Sequence, residues 1–383
     1  MNETDIVVGI LSKNVEATIL HVLNVVSEGL HKHFSEYEKT IIVSDGFSSD
    51  KTVELANLFQ PYNGIKKLVT HDLTKGGKGA GVRTIFMMAR EANAKAVVLI
   101  DGDLLSIKPE WVREFISPIL YGRADLVVPY YIRDKYDGVI TNNLVYPFTR
   151  AVYGLDIRQP IAGEYGLSKN LYEMLLEHPL FPLDFGIDIF IVTSAAANQM
   201  EIREGIFSLK IHESTTHYIK PEQFLIPMFR QVTGKMFELA SYYEDYWKNN
   251  RKRLHKMKTK SFLGQKPIPT RVDIDKMKKY FEKGYASMKN VIDKVLPQEI
   301  IRELESNMDI DAETWAEIVY NFAKCYKIAD DKSAIDALKI LWLLRFITYF
   351  NEVEDMEWNE AEEVIQKQAR IFEDKMNYFI SIY

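Results

Sequence analysis

Two aspartates separated by one glycine follow a short apolar run in the first third of the chain. Residues 96–100 are Ala-Val-Val-Leu-Ile, and Asp101, Gly102 and Asp103 come directly after them. Carboxylates this close repel each other, and a cation between them relieves the repulsion. Because hard oxygen ligands suit Mg²⁺ or Mn²⁺, the triplet predicts a divalent-metal site. The other interpretation is a simple turn after a strand, where Asp and Gly are common.

A glycine-rich segment precedes this run. Residues 75–81 are Lys-Gly-Gly-Lys-Gly-Ala-Gly, which match neither the G-x-x-x-x-G-K-S/T phosphate loop nor the G-x-G-x-x-G dinucleotide spacing. One interpretation is a flexible surface turn. The other is that the glycines allow close approach while Lys75 or Lys78 meets a diphosphate. We favour Lys78 for that contact.

Three further candidates lie later in the chain. Glu164 ends the segment Gln-Pro-Ile-Ala-Gly-Glu, residues 159–164, where Pro and Gly bracket an acid that we expect to be buried. Asp188 stands near the start of a predicted helix, where an acid is also favoured by the helix dipole alone. His217 follows the last predicted strand. A lone His is more commonly a hydrogen-bonding residue than a ligand, but this one belongs to the same predicted sheet edge as the aspartates.

The elements that must position these residues follow from hydrophobic periodicity. Apolar runs at residues 6–11, 40–44, 65–70 and 96–100 predict strands, and the stretches between them predict helices. This alternation predicts an α/β fold, a mostly parallel sheet with helices on both faces. Open sheets of this kind bind ligands at the carboxyl ends of their strands. We therefore expect one nucleotide-sized crevice lined by Lys13, Asn14, Glu16, Asp45, Ser48, Lys78, Asp101 and Asp103.

The second half of the chain changes character. Strands are predicted at residues 125–131 and 205–211, and a long helix at 221–247. Residues 248–260 are strongly basic and are followed by Gly264, Pro267 and Pro269, which predicts a solvated linker; a patch for an acidic partner or a membrane surface is the alternative. Beyond residue 273 the pattern is helical throughout. We therefore predict an α/β domain over 1–235, a helix end and linker over 236–270, and an all-helical domain over 271–383.

Composition restricts the possible functions. The 383 residues carry a formal net charge of −6, which argues against a general nucleic-acid binder, and the single Cys excludes an internal disulfide. No apolar segment approaches the roughly 20 residues of a membrane span. The acidic N-terminus leads straight into a strand, so we expect no signal peptide. We expect a soluble cytoplasmic protein, with the helical domain as a packing or dimerisation module and a homodimer as the assembly.

Seven segments form an ordered set: residues 6–16, 43–46, 77–79, 101–103, 159–164, 186–188 and His217. Together they resemble the retaining glycosyltransferases of the GT-A fold, among them mannosylglycerate synthase and glucosyl-3-phosphoglycerate synthase. The Asp-x-Asp motif alone is weakly specific, whereas the ordered combination is much more specific. The resemblance covers about residues 5–235, and the helical tail after the Pro-containing linker also resembles mannosylglycerate synthase.

The resemblance implies a metal-dependent transfer of mannose or glucose to D-glycerate or a similar small hydroxy acid, making a compatible solute. The donor implied is GDP-mannose, UDP-glucose or GDP-glucose. The implied metal ligands are Asp103 and His217, assisted by Asp101. The implied nucleotide-sugar ligands are Lys13, Glu16, Asp45, Lys78, Asp101 and Gly163. The implied catalytic positions are Asp188, Glu164, Ile161 and Ala162, and the implied acceptor ligands are Arg133, Thr141 and Tyr218. We expect the polypeptide backbone at residue 161 or 162, rather than a carboxylate, below the anomeric carbon, and hence a front-face mechanism.

Some residues depart from the relatives. In enzymes that use 3-phosphoglycerate, the acceptor segment resembles Gly-Arg-Val-Thr, whereas residues 138–141 here are Gly-Val-Ile-Thr. Losing the guanidinium removes a two-pronged phosphate contact and favours an unphosphorylated acceptor, unless Lys135 or Lys220 replaces it.

Other functions remain as alternatives. They are transfer to 3-phosphoglycerate, transfer to a lipid or polymer, nucleotidyl transfer and non-catalytic sensing of a sugar nucleotide. Nucleotidyl transfer lacks its GGxGxR-type loop, because residues 9–12 are Gly-Ile-Leu-Ser. The joint presence of Asp103, His217 and Asp188 argues against a sensor.

Overall fold

The computed structural model describes residues 3–212, 225–249, 265–329 and 332–383. These residues form two compact units. The first, here called the sheet unit, contains residues 3–132, 161–212 and 265–266, and the second, the helical unit, contains the others. Residues 133–160 therefore group with the C-terminal helices, although they lie inside the predicted segment 1–235. The domain limits at residues 235 and 270 stay a prediction.

Seven strands of the described residues form one sheet in the order β3-β2-β1-β4-β6-β5-β7. All neighbours are parallel except β6, which is antiparallel to β4 and to β5. The predicted α/β fold with a mostly parallel sheet is confirmed. The strands are β1 (Ile6–Ser12), β2 (Lys39–Asp45), β3 (Ile65–His71), β4 (Ala96–Asp101), β5 (Leu126–Ile132), β6 (Tyr165–Ser168) and β7 (Ile202–Leu209).

Helices alternate with the strands along the sheet unit. Helices also form most of the described part of the helical unit. Those of the sheet unit are α1 (Ile19–His33), α2 (Thr52–Leu58), α3 (Lys78–Glu91), α4 (Pro109–Leu120), α6 (Lys169–Glu177) and α7 (Ile187–Ala197). Those of the helical unit are α5 (Tyr146–Tyr153), α8 (Leu225–Tyr242), α9 (Glu244–Asn249), α10 (Ile274–Val295), α11 (Gln298–Asn307), α12 (Ala312–Ala329), α13 (Lys332–Val353), α14 (Trp358–Asp374) and α15 (Met376–Ile382). A π-helical turn, Thr141–Val145, leads directly into α5.

Burial explains why the central strands contain so few polar residues. Val7, Ile42 and Val98, on three adjacent strands, are each 0% exposed. Strands that are covered on both faces need apolar residues at every position rather than at alternate ones. In the described part of the chain, no helix combines the length and the apolar character needed to cross a membrane.

Candidate active site

The carboxyl edge of the sheet brings charged residues together from distant parts of the chain. Strand β4 ends at Asp101. Because β6 runs antiparallel to β4, its first residue, Tyr165, pairs with Leu99, and Glu164 just before it reaches the same edge. Lys210 follows the last residue of β7, and its backbone N–H donates to the carbonyl of Ile132 at the end of β5. The sheet topology therefore places a base and two acids side by side.

Lys78 lies at the centre of the first charged group. Its Nζ is 3.0 Å from Asp101 Oδ1 and 3.3 Å from Asp188 Oδ1, and it donates to the carbonyl of Gly163 at 3.0 Å. Burial disfavours the charged ammonium, but Asp101 and Asp188 outweigh that effect and hold the pKa of Lys78 above its usual value. The structure thus unites three of the predicted donor and catalytic residues around this lysine.

The glycine-rich segment ends in the first turn of α3, which begins at Lys78 rather than after the glycines. The backbone N–H of Gly77 donates to the carbonyl of Leu183 at 2.7 Å, and a Cβ on Gly79 would stand 2.2 Å from the carbonyl oxygen of Pro182. A side chain at residue 79 would therefore clash with backbone that cannot easily move. The glycines serve this close packing, which differs from a flexible surface turn, and the contact of Lys78 with a diphosphate stays a prediction.

Glu164 forms a second charged group. It is 0% exposed, and both of its carboxylate oxygens accept hydrogen bonds from Lys210 Nζ, at 3.0 and 2.9 Å. The hydroxyl of Tyr131 donates to Glu164 Oε2 at 2.9 Å, and Lys210 Nζ also donates to the carbonyl of Ala162 at 2.6 Å. The expectation of a buried acid in this segment agrees with the structure. Ala162 is buried and Ile161 half-buried.

Lys210 and Tyr131 were not among the residues selected from the sequence. A signal for Lys210 was present, because a fully buried carboxylate needs a cationic or hydrogen-bonding partner. Lys210 is a lone lysine near the end of the predicted strand 205–211, and the carboxyl ends of the strands were expected to line the site. For Tyr131, which lies within the apolar strand β5, the sequence offered no comparable signal.

Gly163 lies between the two charged groups. Its φ is +103°, in the left-handed region, and a Cβ there would stand 2.9 Å from Asp101 Oδ2 and 3.2 Å from Lys210 Nζ. Only glycine adopts this backbone without strain and leaves room for both charged side chains. Its carbonyl is held by Lys78, so the backbone of the predicted donor-binding segment is fixed from both sides.

The charges of these groups do not balance. Four carboxylates face two ammonium groups here, which leaves a charge of −2, the complement of one divalent cation: Asp101, Asp103, Glu164 and Asp188 against Lys78 and Lys210. Burial and the neighbouring charge of Asp101 raise the pKa of Asp103 above its usual value. Burial likewise raises the pKa of Asp188. Crowded, desolvated oxygen ligands of this kind fit Mg²⁺ or Mn²⁺.

Only two of the three predicted metal ligands, Asp101 and Asp103, are among the described residues. Among those, no group of three or more His, Cys, Asp and Glu side chains is placed to hold a metal ion. His217 lies outside them. Leu104, next to Asp103, forms an isolated β-bridge with His212, the last residue before the gap. Asp101 and Asp103 therefore fit part of a metal donor set, and the role of His217 stays a prediction.

Asp45, at the end of β2, is fully buried and held by several donors. Its carboxylate accepts from the backbone N–H of Ser48 at 2.8 Å and from the Ser48 hydroxyl at 2.5 Å, and His71 Nδ1 lies 3.1 Å away. The ring of Phe47, 46% exposed, stacks on His71 with centroids 5.1 Å apart and planes within 4°. The predicted contact of Asp45 with the nucleoside stays a prediction.

Lys13 and Glu16 lie on the loop that follows β1. The Lys13 side chain is exposed and runs beside Gly46, where a Cβ would be 3.4 Å from Lys13 Cδ. Glu16 Oε2 accepts from the backbone N–H of Lys51 at 2.8 Å, next to the start of α2. The structure therefore gives Glu16 a local role in joining two loops, and its predicted nucleotide contact stays untested.

Two of the predicted acceptor ligands, Arg133 and Thr141, lie close together in the helical unit. Gly138 lies between them with φ +72°, and a Cβ there would be 3.0 Å from an Arg133 guanidinium nitrogen and 3.9 Å from Thr141 Cβ. Thr141 is 4% exposed and begins the π-helical turn. Tyr218 lies outside the described residues. The acceptor assignment of all three stays a prediction.

Comparison with known proteins supports the fold. Residues 7–161 match the model of glycosyl transferase family 2. Crystal structures of glucosyl-3-phosphoglycerate synthase from Mycobacterium tuberculosis match with a TM-score of 0.50 and 24% identity over 62% of this chain. The complex with phosphoglyceric acid is covered over 80% of its chain, and the complexes with Mn²⁺, UDP-glucose and phosphoglyceric acid and with Mg²⁺ and UDP over 79%.

No curated protein matches the chain. Residues 7–161 nevertheless match a glycosyltransferase family model and the sheet has the GT-A fold of the solved structures, which confirms the resemblance inferred from the motifs at the level of the fold.

Proposed function

We propose that this chain is a metal-dependent, retaining hexosyltransferase. It moves mannose or glucose from a nucleotide-diphosphate sugar to D-glycerate or a similar small hydroxy acid. The observation that carries the proposal is the excess of carboxylates around Asp101 and Asp103, buried at Glu164 and half-buried at the others, at the carboxyl edge of a sheet whose residues 7–161 match the glycosyl transferase family 2 model. Such a site suits a substrate whose diphosphate arrives with a divalent cation.

Asp103, Asp101 and His217 would hold Mg²⁺ or Mn²⁺. The M. tuberculosis enzyme was crystallised with Mn²⁺ and UDP-glucose and with Mg²⁺ and UDP, which supports this choice. When bound, the cation supplies Lewis-acid stabilisation to the departing diphosphate. Lys78 provides a second positive charge for the same group. The carboxylates of Asp188 and Asp101 are suited to accept hydrogen bonds from sugar hydroxyls.

The surroundings of Glu164 favour a front-face mechanism. A double displacement needs a carboxylate that is free to attack the anomeric carbon. Glu164 is 0% exposed, and its two oxygens accept three hydrogen bonds from Lys210 and Tyr131, so the carboxylate is held by protein donors rather than free for attack. We assign to Glu164 and Lys210 the task of holding the backbone at Ala162 in place. The acceptor proton then passes to the leaving phosphate oxygen.

The acceptor proposed is unphosphorylated. Val139 takes the place of the Arg in the Gly-Arg-Val-Thr-like segment of the phosphoglycerate enzymes. Lys135 is bound to three backbone carbonyls. Neither residue is therefore placed to grip a phosphate. The second candidate acceptor is 3-phosphoglycerate, because crystals of the M. tuberculosis enzyme contain phosphoglyceric acid.

A donor-by-acceptor matrix tests the proposal. Purified protein with Mn²⁺ is incubated with GDP-mannose, UDP-glucose or GDP-glucose and with D-glycerate or 3-phosphoglycerate, and products are identified by mass. We expect a hexosyl-glycerate, no product with chelator, and loss of product in Asp103→Asn. Asp245→Asn, an exposed acid on α9, is the matched control and should keep activity. Product with 3-phosphoglycerate alone would overturn the acceptor, and no product from any pair would overturn the function.

A further inference from the structure

The side chain of Lys135 binds backbone carbonyls at the C-terminal end of helix α13, more than two hundred residues further along the chain. Its Nζ donates to the carbonyls of Val353, Glu354 and Met356 at 2.7, 2.8 and 2.6 Å. Val353 is the last residue of α13, and Glu354 and Met356 follow it closely. Carbonyls at and just beyond a helix C-terminus have no donor within the helix, and a lysine there donates to them and interacts favourably with the negative end of the helix dipole. An ammonium group has three N–H donors, and all three are used here. Lys135 therefore has no donor left for a substrate anion.

The residues beside this ammonium are attached to the same helix. The hydroxyl of Tyr349, on α13, donates to the backbone carbonyl of Lys135 at 2.9 Å. The ring of Tyr136 stacks on Phe350 with centroids 4.7 Å apart and planes 17° from parallel. The backbone and both side chains of residues 135 and 136 are thus bound to the last turns of α13, just before Gly138.

A second attachment lies at the π-helical turn Thr141–Val145. Such turns are rare and occur frequently at functional sites. Gln368 Nε2 donates to the carbonyl of Asn142 at 3.1 Å, and Trp315 Nε1 donates to the carbonyl of Asn143. Asn142 and Asn143 are buried, so their carbonyls need donors from the protein rather than from water. Side chains of α12 and α14 therefore favour the π conformation.

Buried charged residues fix the side chains that make this second attachment. Arg345 is 0% exposed, and its Nε donates to Gln368 Oε1 at 2.8 Å, which orients the amide so that Nε2 faces Asn142. Arg158 donates to both oxygens of Glu362 at 2.8 and 2.9 Å and to Asn142 Oδ1 at 2.9 Å. Two bidentate-capable guanidinium groups thus restrict the rotation of the contacting side chains.

We propose that the C-terminal helices set the conformation of the acceptor loop, defined as residues 133–145, and that Lys135 is a positioning residue of the transfer reaction. The loop carries Arg133 and Thr141, with one attachment to α13 between them and one at the π-helical turn. This inference rests on the proposed function and on the predicted role of Arg133 and Thr141 as acceptor ligands. It gives the helical unit a task in acceptor binding besides packing.

The test uses Lys135→Met in the full chain. We expect the KM for the acceptor to rise about tenfold or more, because small displacements of binding groups have large effects. The KM for the donor should stay unchanged, and hydrogen exchange at residues 133–145 should accelerate. Lys135→Arg, whose guanidinium also donates several hydrogen bonds, should recover part of the acceptor affinity. Lys289→Met, on α10, is the control and should change none of these quantities.

The possible outcomes separate this inference from the proposed function. A higher acceptor KM with unchanged hydrogen exchange would mean that Lys135 contacts the acceptor directly, which overturns the inference. Unchanged KM and exchange would also overturn it. If Lys135→Met does not fold, Tyr349→Phe, which removes one hydroxyl, gives the same two readouts. If the wild type transfers to no acceptor, the proposed function fails, and faster exchange in Lys135→Met still supports the attachment.

Discussion

Replacing Lys210 by Met tests how the buried charges of the sheet unit are balanced. The side chains of Lys210 and Glu164 are 5% and 0% exposed, and they are joined by hydrogen bonds of 2.9 and 3.0 Å. Removing the ammonium leaves a buried carboxylate with the Tyr131 hydroxyl as a donor. Breaking a buried pair in this way costs about 3–5 kcal/mol of unfolding free energy. With a slope near 3 kcal/mol per molar urea, the unfolding midpoint should fall by roughly 1–2 M.

A double-mutant cycle shows that the loss comes from the pair. The free energy of unfolding is measured in urea by circular dichroism for Lys210→Met, Glu164→Gln and the double variant. Because the double variant leaves no buried charge unpaired, it should be destabilised by less than the sum of the single variants, by about 2 kcal/mol or more. Hydrogen exchange at residues 161–168 should follow the same order.

Lys95→Met provides the matched control for this cycle. Lys95 Nζ lies 2.8 Å from Asp5, but its side chain is 67% exposed, so solvent screens the pair and the variant should unfold at nearly the wild-type midpoint. The reasoning is refuted if Lys210→Met costs less than about 1 kcal/mol and the cycle is additive, since a desolvated pair cannot behave in this way.

Two further predictions concern the backbone and the pH dependence. Gly163→Ala should lower the thermal unfolding midpoint more than Gly122→Ala. Both glycines have positive φ, but only a Cβ at Gly163 would meet a neighbour, Asp101 Oδ2 at 2.9 Å. Equal shifts of the midpoint would contradict this. Burial of Asp336 opposes ionisation, but hydrogen bonds from Arg230 and Lys339 hold the pKa of its carboxyl below the usual value. The contribution of Asp336 to stability is therefore present above the unfolded pKa of about 3.9, and it is lost as pH falls through the lower folded pKa. Asp336→Asn should therefore weaken the acid-induced loss of unfolding free energy, measured between about pH 5 and pH 2.

The order of strands and helices was predictable because it depends on local patterns. The apolar runs of β1, β2 and β4 are continuous since both faces of those strands are covered. The start of α3 was harder to predict, because glycine disfavours helix in isolation. There the close contact of Gly79 with Pro182, a residue far away in sequence, offsets the propensity.

The candidate site was predictable to the extent that each residue sits at the end of a strand. Asp101 and Asp45 lie at the carboxyl edge, as expected from the parallel topology, whereas Glu164 reaches that edge because it precedes the antiparallel strand β6. Their partners were not predictable. Glu16 accepts from the backbone N–H of Lys51, a partner that depends on how two loops meet in the folded chain, and its nucleotide contact stays a prediction.

The sequence by itself determined that acids and glycines would gather at one edge of a parallel sheet, since alternation of strand and helix directs every strand end there. Only the tertiary structure decided which charges meet. Glu164 is paired with Lys210, 46 residues away. Lys135 donates to the carbonyl of Val353, the last residue of α13, 218 residues away. The physical reason is that such pairs depend on the path of the whole chain, whereas the strand and helix pattern depends on a few neighbouring residues.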